Sequence, residues 1–165
     1  MCLSIPALQK QKRPTKIKRL FKYYTVPEHR KIDSNDPKLT VESPSQNNRV
    51  FLQYGRNVRS NRKGGTKLTN TELIHGRVSY GLHTFVHKKD AMEYAKKAAY
   101  KGNPVVVVSF IAFPKTFVAR GIYGYRRDGT KILNEVHTKL EVYQIIGHFV
   151  NNKKVIGKNS FVNKL

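Results

Sequence analysis

The sequence predicts an α+β fold, built from a small antiparallel or mixed β-sheet and one main helix at about residues 88–101. Three observations support this prediction. Alanines recur at helical spacing along one face of that segment, a run of β-branched apolar residues follows it, and an Asp-Gly pair later marks a hairpin turn. A chain of 165 residues fits a single domain with one hydrophobic core.

The first elements lie in the N-terminal third of the chain. Leu20–Val26 is rich in aromatic residues and is predicted to be a strand, although residues 16–24 also fit an amphipathic basic helix for an anionic membrane or a partner groove. Residues 27–49 contain three prolines and an Asn-Asn pair, which predict a long surface loop. Phe51–Tyr54 is predicted to be the next strand.

The main helix, at about Lys88–Lys101, has a face of small side chains that allows close packing on a sheet: Ala91, Ala95, Ala98 and Ala99. Gly102-Asn103-Pro104 is a strong helix stop. In the segment Val105–Ile111, apolar residues occupy the positions that point to both faces of a strand, which is typical of a central strand covered on both sides. We therefore expect the alanine face to be buried against this strand.

The remaining elements are predicted strands. Thr116–Ile122 is followed by a hairpin in which Asp128-Gly129 joins Ile122–Tyr125 to Lys131–Val136. Thr138–Ile146 closes the set, because apolar residues alternate there with charged ones.

Charge dominates the composition: Lys and Arg number 32 against 10 Asp and Glu, a formal net charge of +22. Such an excess attracts polyanions or acidic protein surfaces over long distances. The basic ends suggest three parts, namely an N-terminal arm (1–19), an α+β domain (20–147) and a C-terminal tail (148–165), with both ends irregular. Cys2 is the only cysteine, which fits a reducing compartment. We expect neither a secretory signal nor a membrane span.

Five short motifs are spread over most of the chain: Met1-Cys2-Leu3, Phe51–Gly55 (FLQYG), Gly81–Phe85 (GLHTF) before the helix, Pro114–Gly121 (PKTFVARG) and His137–Val142 (HTKLEV). This set resembles small uncharacterised proteins of bacteriophages and large DNA viruses. The resemblance implies a viral origin and carries no activity. The chain departs from the pattern in its basic insert Arg56–Lys67 and its basic tail, where its own function is expected.

Clusters of basic residues without acidic neighbours are the candidate binding groups. The arms, a flexible Gly64-Gly65 loop and a hairpin turn carry them, and Tyr123 and Tyr125 beside the turn could stack on single-stranded nucleic acid. The predicted contacts to a polyanion or an acidic partner are Lys12, Arg13, Lys16, Lys18, Arg19, Arg56, Arg59, Arg62, Lys63, Arg126, Arg127, Lys153, Lys154 and Lys158.

Metal and cofactor chemistry is not predicted. His83 and His87 are four residues apart with His75 nearby, but the segment around His83 is expected to be extended, so His83 should pack or form a hydrogen bond where the helix begins. The one enzyme alternative is an ADP-ribosyltransferase-like site, because His75-Gly76, Tyr94-Ala95 and Glu141 occur in the order His, Tyr, Glu. The Ala-rich helix explains Tyr94 equally well.

The function predicted first is therefore non-enzymatic. We expect a minor capsid or internal virion protein, made in the host cytoplasm, that bridges neighbouring virion proteins with acidic surfaces through its loops and arms. Binding of nucleic acid without sequence choice is the alternative, and an ADP-ribosyltransferase-like enzyme is the third.

Overall fold

A computed structural model describes residues 3–4, 11–26, 38–43, 49–60, 62–63, 65–100, 104–150 and 153–156. These residues form two α-helices, α1 (Asn70–His75) and α2 (Lys88–Tyr100). They also form twelve strands: β1 Leu3–Ser4, β2 Lys18–Thr25, β3 Lys38–Glu42, β4 Arg49–Gln53, β5 Asn57–Arg59, β6 Arg77–Val78, β7 Leu82–Phe85, β8 Val105–Ala112, β9 Phe117–Tyr125, β10 Lys131–His137, β11 Lys139–Val150 and β12 Lys153–Ile156.

The strands join in one sheet, in the order β12-β11-β8-β2-β7-β10-β9-β1-β6. β3 and β4 extend from β2, and β5 pairs with β11. All of the pairings found in the described residues are antiparallel. The α+β class is therefore confirmed at a coarse level, but the sheet is larger than the small one predicted.

The two faces of β8 pack into two different cores, as expected for a central strand. Val105 and Val107 contact α2, where Ala91 and Ala95 are fully buried. Val106 and Val108 alternate with them and pack into a second apolar cluster. The predicted burial of the alanine face against this strand is confirmed.

The hairpin at Asp128-Gly129 is also confirmed, because Lys131 pairs with Tyr125 across it. Gly129 has φ +86°, a left-handed conformation that glycine adopts without strain. Asp128 accepts hydrogen bonds from the backbone N–H and the hydroxyl of Thr130, which fixes the turn.

Several boundaries differ from the prediction. Lys18–Thr25 is a strand, which confirms the strand predicted at Leu20–Val26, with bounds shifted toward the N-terminus, and shows that the alternative amphipathic helix over residues 16–24 is wrong. Part of the predicted loop at 27–49 is sheet, since Lys38–Glu42 is β3 and β4 begins at Arg49. Residues 27–37 and 44–48 lie outside the described residues.

The predicted irregular tail also begins in the sheet. β11 continues to Val150, and Lys153–Ile156 pairs with it as β12. Phe149 is only 5% exposed and packs with α2. The sheet therefore extends beyond residue 147. Residues 157–165 lie outside the described part. Neither helix in that part has the length and apolar character that crossing a bilayer requires.

Candidate functional site: a basic pocket over a buried glutamate

Glu135 in β10 is a fully buried carboxylate surrounded by basic groups. Its Oε2 accepts hydrogen bonds from Lys18 Nζ at 2.8 Å and Arg120 Nε at 3.1 Å, and its Oε1 lies 2.8 Å from His137 Nε2. The sheet creates this cluster, because Glu135 stands opposite Thr84 in β7 and Arg120 in β9. Partners across neighbouring strands project to the same face.

The charge state of Glu135 follows from these contacts. Burial by itself would raise the pKa of this carboxyl, but the hydrogen bonds from His137 and Lys18 outweigh burial and hold the pKa below its ordinary value. Glu135 is therefore ionised at neutral pH. A carboxylate only accepts hydrogen bonds, so His137 Nε2 must be the donor.

His137 continues the network to Thr116, whose Oγ1 lies 2.8 Å from His137 Nδ1. A hydroxyl, an imidazole and a carboxylate in sequence have the connectivity of a nucleophilic triad. However, Thr116 is 6% exposed and its hydroxyl also lies 3.1 Å from the carbonyl oxygens of Phe113 and Lys139. Because His137 is only 1% exposed, this chain of hydrogen bonds is internal, and it holds the end of β10 to the turn between β8 and β9.

An open pocket of about 460 Å³ lies beside this cluster, because Lys18 and Arg120, which bind Glu135, also line the pocket. The segment 11–15 forms one wall, and it is tied to β9 because Gln11 Oε1 accepts a hydrogen bond from the backbone N–H of Arg120 at 2.9 Å. Four cationic side chains line the pocket: Lys12, Arg13, Lys18 and Arg120. Against the single carboxylate of Glu135 they leave a formal excess of three positive charges.

This pocket combines predicted and unpredicted residues. Lys12, Arg13 and Lys18 were predicted from their basic segment, whereas Arg120 and Glu135 were not. Isolated charges in a strand pattern carry no sequence signal for a shared site, since only the sheet register brings them together.

The other predicted contacts are dispersed. The Arg19 guanidinium lies 4.1 Å from the centre of the Tyr143 ring. The Arg56 guanidinium lies 4.9 Å from the centre of the Phe51 ring. Exposed side chains outside this pocket include Lys16, Arg59, Lys63 and Arg127. Lys153 and Lys154 lie in β12, and Lys158 lies outside the described residues.

Arg62 is an internal clamp, in contrast to its predicted role as a surface contact. Its side chain is 3% exposed and forms a two-point ion pair with Glu72, with both N···O distances at 2.6 Å. The remaining donors reach the carbonyl oxygens of Gly65, Lys67 and Tyr80. A polyanion would find no free donor on this guanidinium.

Arg126 is likewise engaged within the chain. It binds both carboxylate oxygens of Asp90, at 2.8 and 2.6 Å, and so fixes the hairpin to the start of α2. Tyr123 is not presented for stacking, because it packs edge-on against Phe85 and Tyr94. Tyr125 remains 63% exposed beside the turn.

His83 forms a hydrogen bond within the fold, as predicted. It lies in the extended strand β7, and its Nε2 is 3.0 Å from the carbonyl oxygen of Val78. Burial, with a smaller contribution from the charge of Lys22, lowers the pKa of His83 to about 3, so the ring is neutral. The Lys22 amine is itself buried and donates to the carbonyl oxygen of His83 at 3.0 Å, and burial lowers the pKa of Lys22 to about 8. The described residues contain no group of His, Cys, Asp and Glu that could hold a metal ion.

The three residues of the ADP-ribosyltransferase-like pattern have different neighbours. His75 ends α1, Tyr94 packs in the aromatic cluster with Phe85, and Glu141 stands in β11 opposite Ile111. Comparison of the chain with models of protein families, with curated proteins and with solved structures found no match.

Proposed function

We propose that this protein binds nucleic acid through the phosphate backbone, without choice of base sequence, and that the basic pocket beside Glu135 is the main point of contact. The observation that carries the proposal is the excess of three positive charges around one small, open pocket. Lys and Arg side chains in such an arrangement are the usual ligands of phosphate oxygens.

The distribution of acidic residues supports the same proposal. Glu72, Asp90 and Glu135 are each bound to basic side chains inside the fold. These carboxylates neutralise structural cations, and Lys12 and Arg13 at the pocket form no ion pair with a described residue. The field of a chain with a net charge of +22 therefore favours the approach of a polyanion.

A structural role in a virion stays a prediction, as does the resemblance to viral proteins. The tail that would reach neighbouring subunits lies largely outside the described residues. Coating or packaging of nucleic acid inside a particle would be compatible with the binding proposed here.

The test measures, by fluorescence anisotropy, how binding to labelled single- and double-stranded DNA depends on salt concentration. Each phosphate contact contributes a slope of about −0.9 for double-stranded DNA and about −0.7 for single-stranded DNA to a plot of log K against log salt. Because Lys12 and Arg13 are both exposed at the pocket, we expect the double variant Lys12→Gln/Arg13→Gln to make the slope less steep by about 1.8 with the duplex and about 1.4 with the single strand, and to weaken binding to all sequences alike. Lys96→Gln/Lys97→Gln on α2, which removes the same charge, is the control.

Two results would contradict the proposal. One is an equal loss in both double variants, which would mean that the pocket has no special part in binding. The other is displacement of the DNA by polyglutamate at equal charge concentration, which would identify an acidic protein as the better partner.

A further inference from the structure

A second pocket lies between α1 and the turn that follows β6, and the function proposed above does not use it. Its volume is about 770 Å³, within the range of sites that take small organic ligands. Side chains of several chemical kinds line it, among them Lys63, Thr69, Thr71, His75, Arg77 and Tyr80.

Residues that line this pocket are held in place by interactions within the fold. Arg62 and Glu72 form an ion pair, and Glu72 also closes a capping box with Thr69 at the start of α1. The turn that carries Tyr80 is held by its own carbonyl oxygen, which accepts from Arg62 at 3.2 Å. Gly81, the residue after Tyr80, has φ +134° and lies so close to Val136 that a Cβ on it would clash. A preorganised site loses little conformational entropy when it binds a ligand.

The charge of the pocket is suited to a phosphomonoester. Glu72 and Arg62 neutralise each other, because both carboxylate oxygens accept from the guanidinium. Lys63 and Arg77 are exposed at the pocket and have no acidic partner among the residues described. Two unpaired cations match the charge of a terminal phosphate group, about −1.5 to −2 at neutral pH, better than the single charge of a phosphodiester.

The aromatic ring at the pocket rim indicates the rest of the ligand. Tyr80 lines the pocket and is 60% exposed, with no ring contact to another described residue. Nearby on α1, Ile74 is 71% exposed. An exposed aromatic face beside cations stacks on planar rings such as nucleobases. The hydroxyls of Thr69 and Thr71 add hydrogen-bonding groups suited to a sugar.

We propose that this pocket binds a nucleotide with a terminal 5′-phosphate, whose phosphate contacts Lys63 and Arg77 and whose base stacks on Tyr80. Such a group occurs both in free nucleoside monophosphates and at the 5′ end of a nucleic-acid strand. The proposal goes beyond backbone binding, since it uses other residues and a phosphate of different charge.

The experiment is isothermal titration calorimetry of the full chain with adenosine 5′-monophosphate, uridine 5′-monophosphate and adenosine. We expect both monophosphates to bind, and adenosine to bind at least about tenfold more weakly because it lacks the charged hydrogen bonds. Arg77→Gln and Tyr80→Ala should each weaken binding of the monophosphates by about tenfold. A tetranucleotide with and without its 5′-phosphate distinguishes the end of a strand from a free nucleotide as the natural source.

Matched variants distinguish binding at this pocket from a general effect of the protein's charge. Arg127→Gln and Tyr125→Ala remove the same groups from an exposed hairpin, and both should leave nucleotide binding unchanged. Lys12→Gln/Arg13→Gln should also leave it unchanged, so that failure of the first pocket and of the second are distinguishable. Equal binding of adenosine and its monophosphate, or equal losses in the test and matched variants, would overturn the proposal.

Discussion

Glu135→Gln changes a carboxylate to an amide of nearly the same shape and removes the negative charge that Lys18 and Arg120 share. Breaking a buried ion pair costs about 3–5 kcal/mol when the remaining charge stays buried. Here the side chains of Lys18 and Arg120 are 26% and 43% exposed and can regain water, which reduces the cost. We therefore expect a loss of about 2–3 kcal/mol in the free energy of unfolding at neutral pH.

The same substitution has a predictable pH dependence. The pKa of Glu135 is lower in the folded protein than its ordinary value of 4.5. The stabilisation from its ionised form is thus fully present above the unfolded pKa and is lost as the pH falls through the folded pKa. The difference between the wild-type protein and Glu135→Gln should be constant near pH 7 and should shrink once the pH drops below 4.5.

Urea denaturation followed by circular dichroism, from about pH 7 to about pH 3.5, measures this difference. Glu93→Gln, at an exposed position of α2, is the control and should change stability by less than about 0.5 kcal/mol. The reasoning is refuted if Glu135→Gln is as stable as the wild type at pH 7, or if the difference does not change with pH. Binding of polyanions should not weaken in this variant, because the pocket becomes more positive.

Other substitutions test the core and the effect of net charge. Ala95→Glu places a charge in the buried contact of α2 with the sheet and should cost several kcal/mol, about 3 or more, whereas Lys96→Glu on the exposed side should not, as measured by melting temperature. Gly81→Ala should cost about 2–4 kcal/mol, since its Cβ would lie 2.3 Å from Val136 Cγ1 in a left-handed backbone. Gly129→Ala, with open space around it, should cost only about 1 kcal/mol in the same urea titration. Raising NaCl from about 20 to about 300 mM should raise the melting temperature, because screening reduces self-repulsion. A melting temperature that falls with salt would show that attractive ion pairs dominate instead.

The elements that the sequence predicts well depend on local patterns. The helix ends near Gly102-Asn103-Pro104, and the hairpin follows Asp128-Gly129, because glycine, proline and turn residues act over a few positions. Helix α1 was missed although Thr69 and Glu72 form a capping box that is visible in the sequence. Its six residues bury no side chain, so no apolar periodicity accompanies the cap.

The candidate site was only half predictable for a physical reason. Basic residues in the segment 11–19 are visible as a cluster, but Glu135 and Arg120 join them through contacts across β2, β10 and β9. A single acidic residue in a strand is ordinarily exposed. Besides His137 on the same strand, its donors are Lys18 in β2 and Arg120 in β9, and the pairing that brings these strands together is a tertiary property.

The paired acidic residues contribute mainly to stability, whereas exposed cations supply most of the proposed binding groups. In the described residues, three carboxylates form ion pairs between separate segments: Glu72 with Arg62, Asp90 with Arg126, and Glu135 with Lys18 and Arg120. Each pair joins two elements of the fold, and Lys18 and Arg120 also line the first pocket. The exposed cations that are left, including Lys12, Arg13, Lys63 and Arg77, have no such structural role. Loss of a paired acid should therefore lower stability and spare binding, whereas loss of an exposed cation at either pocket should lower binding and spare stability.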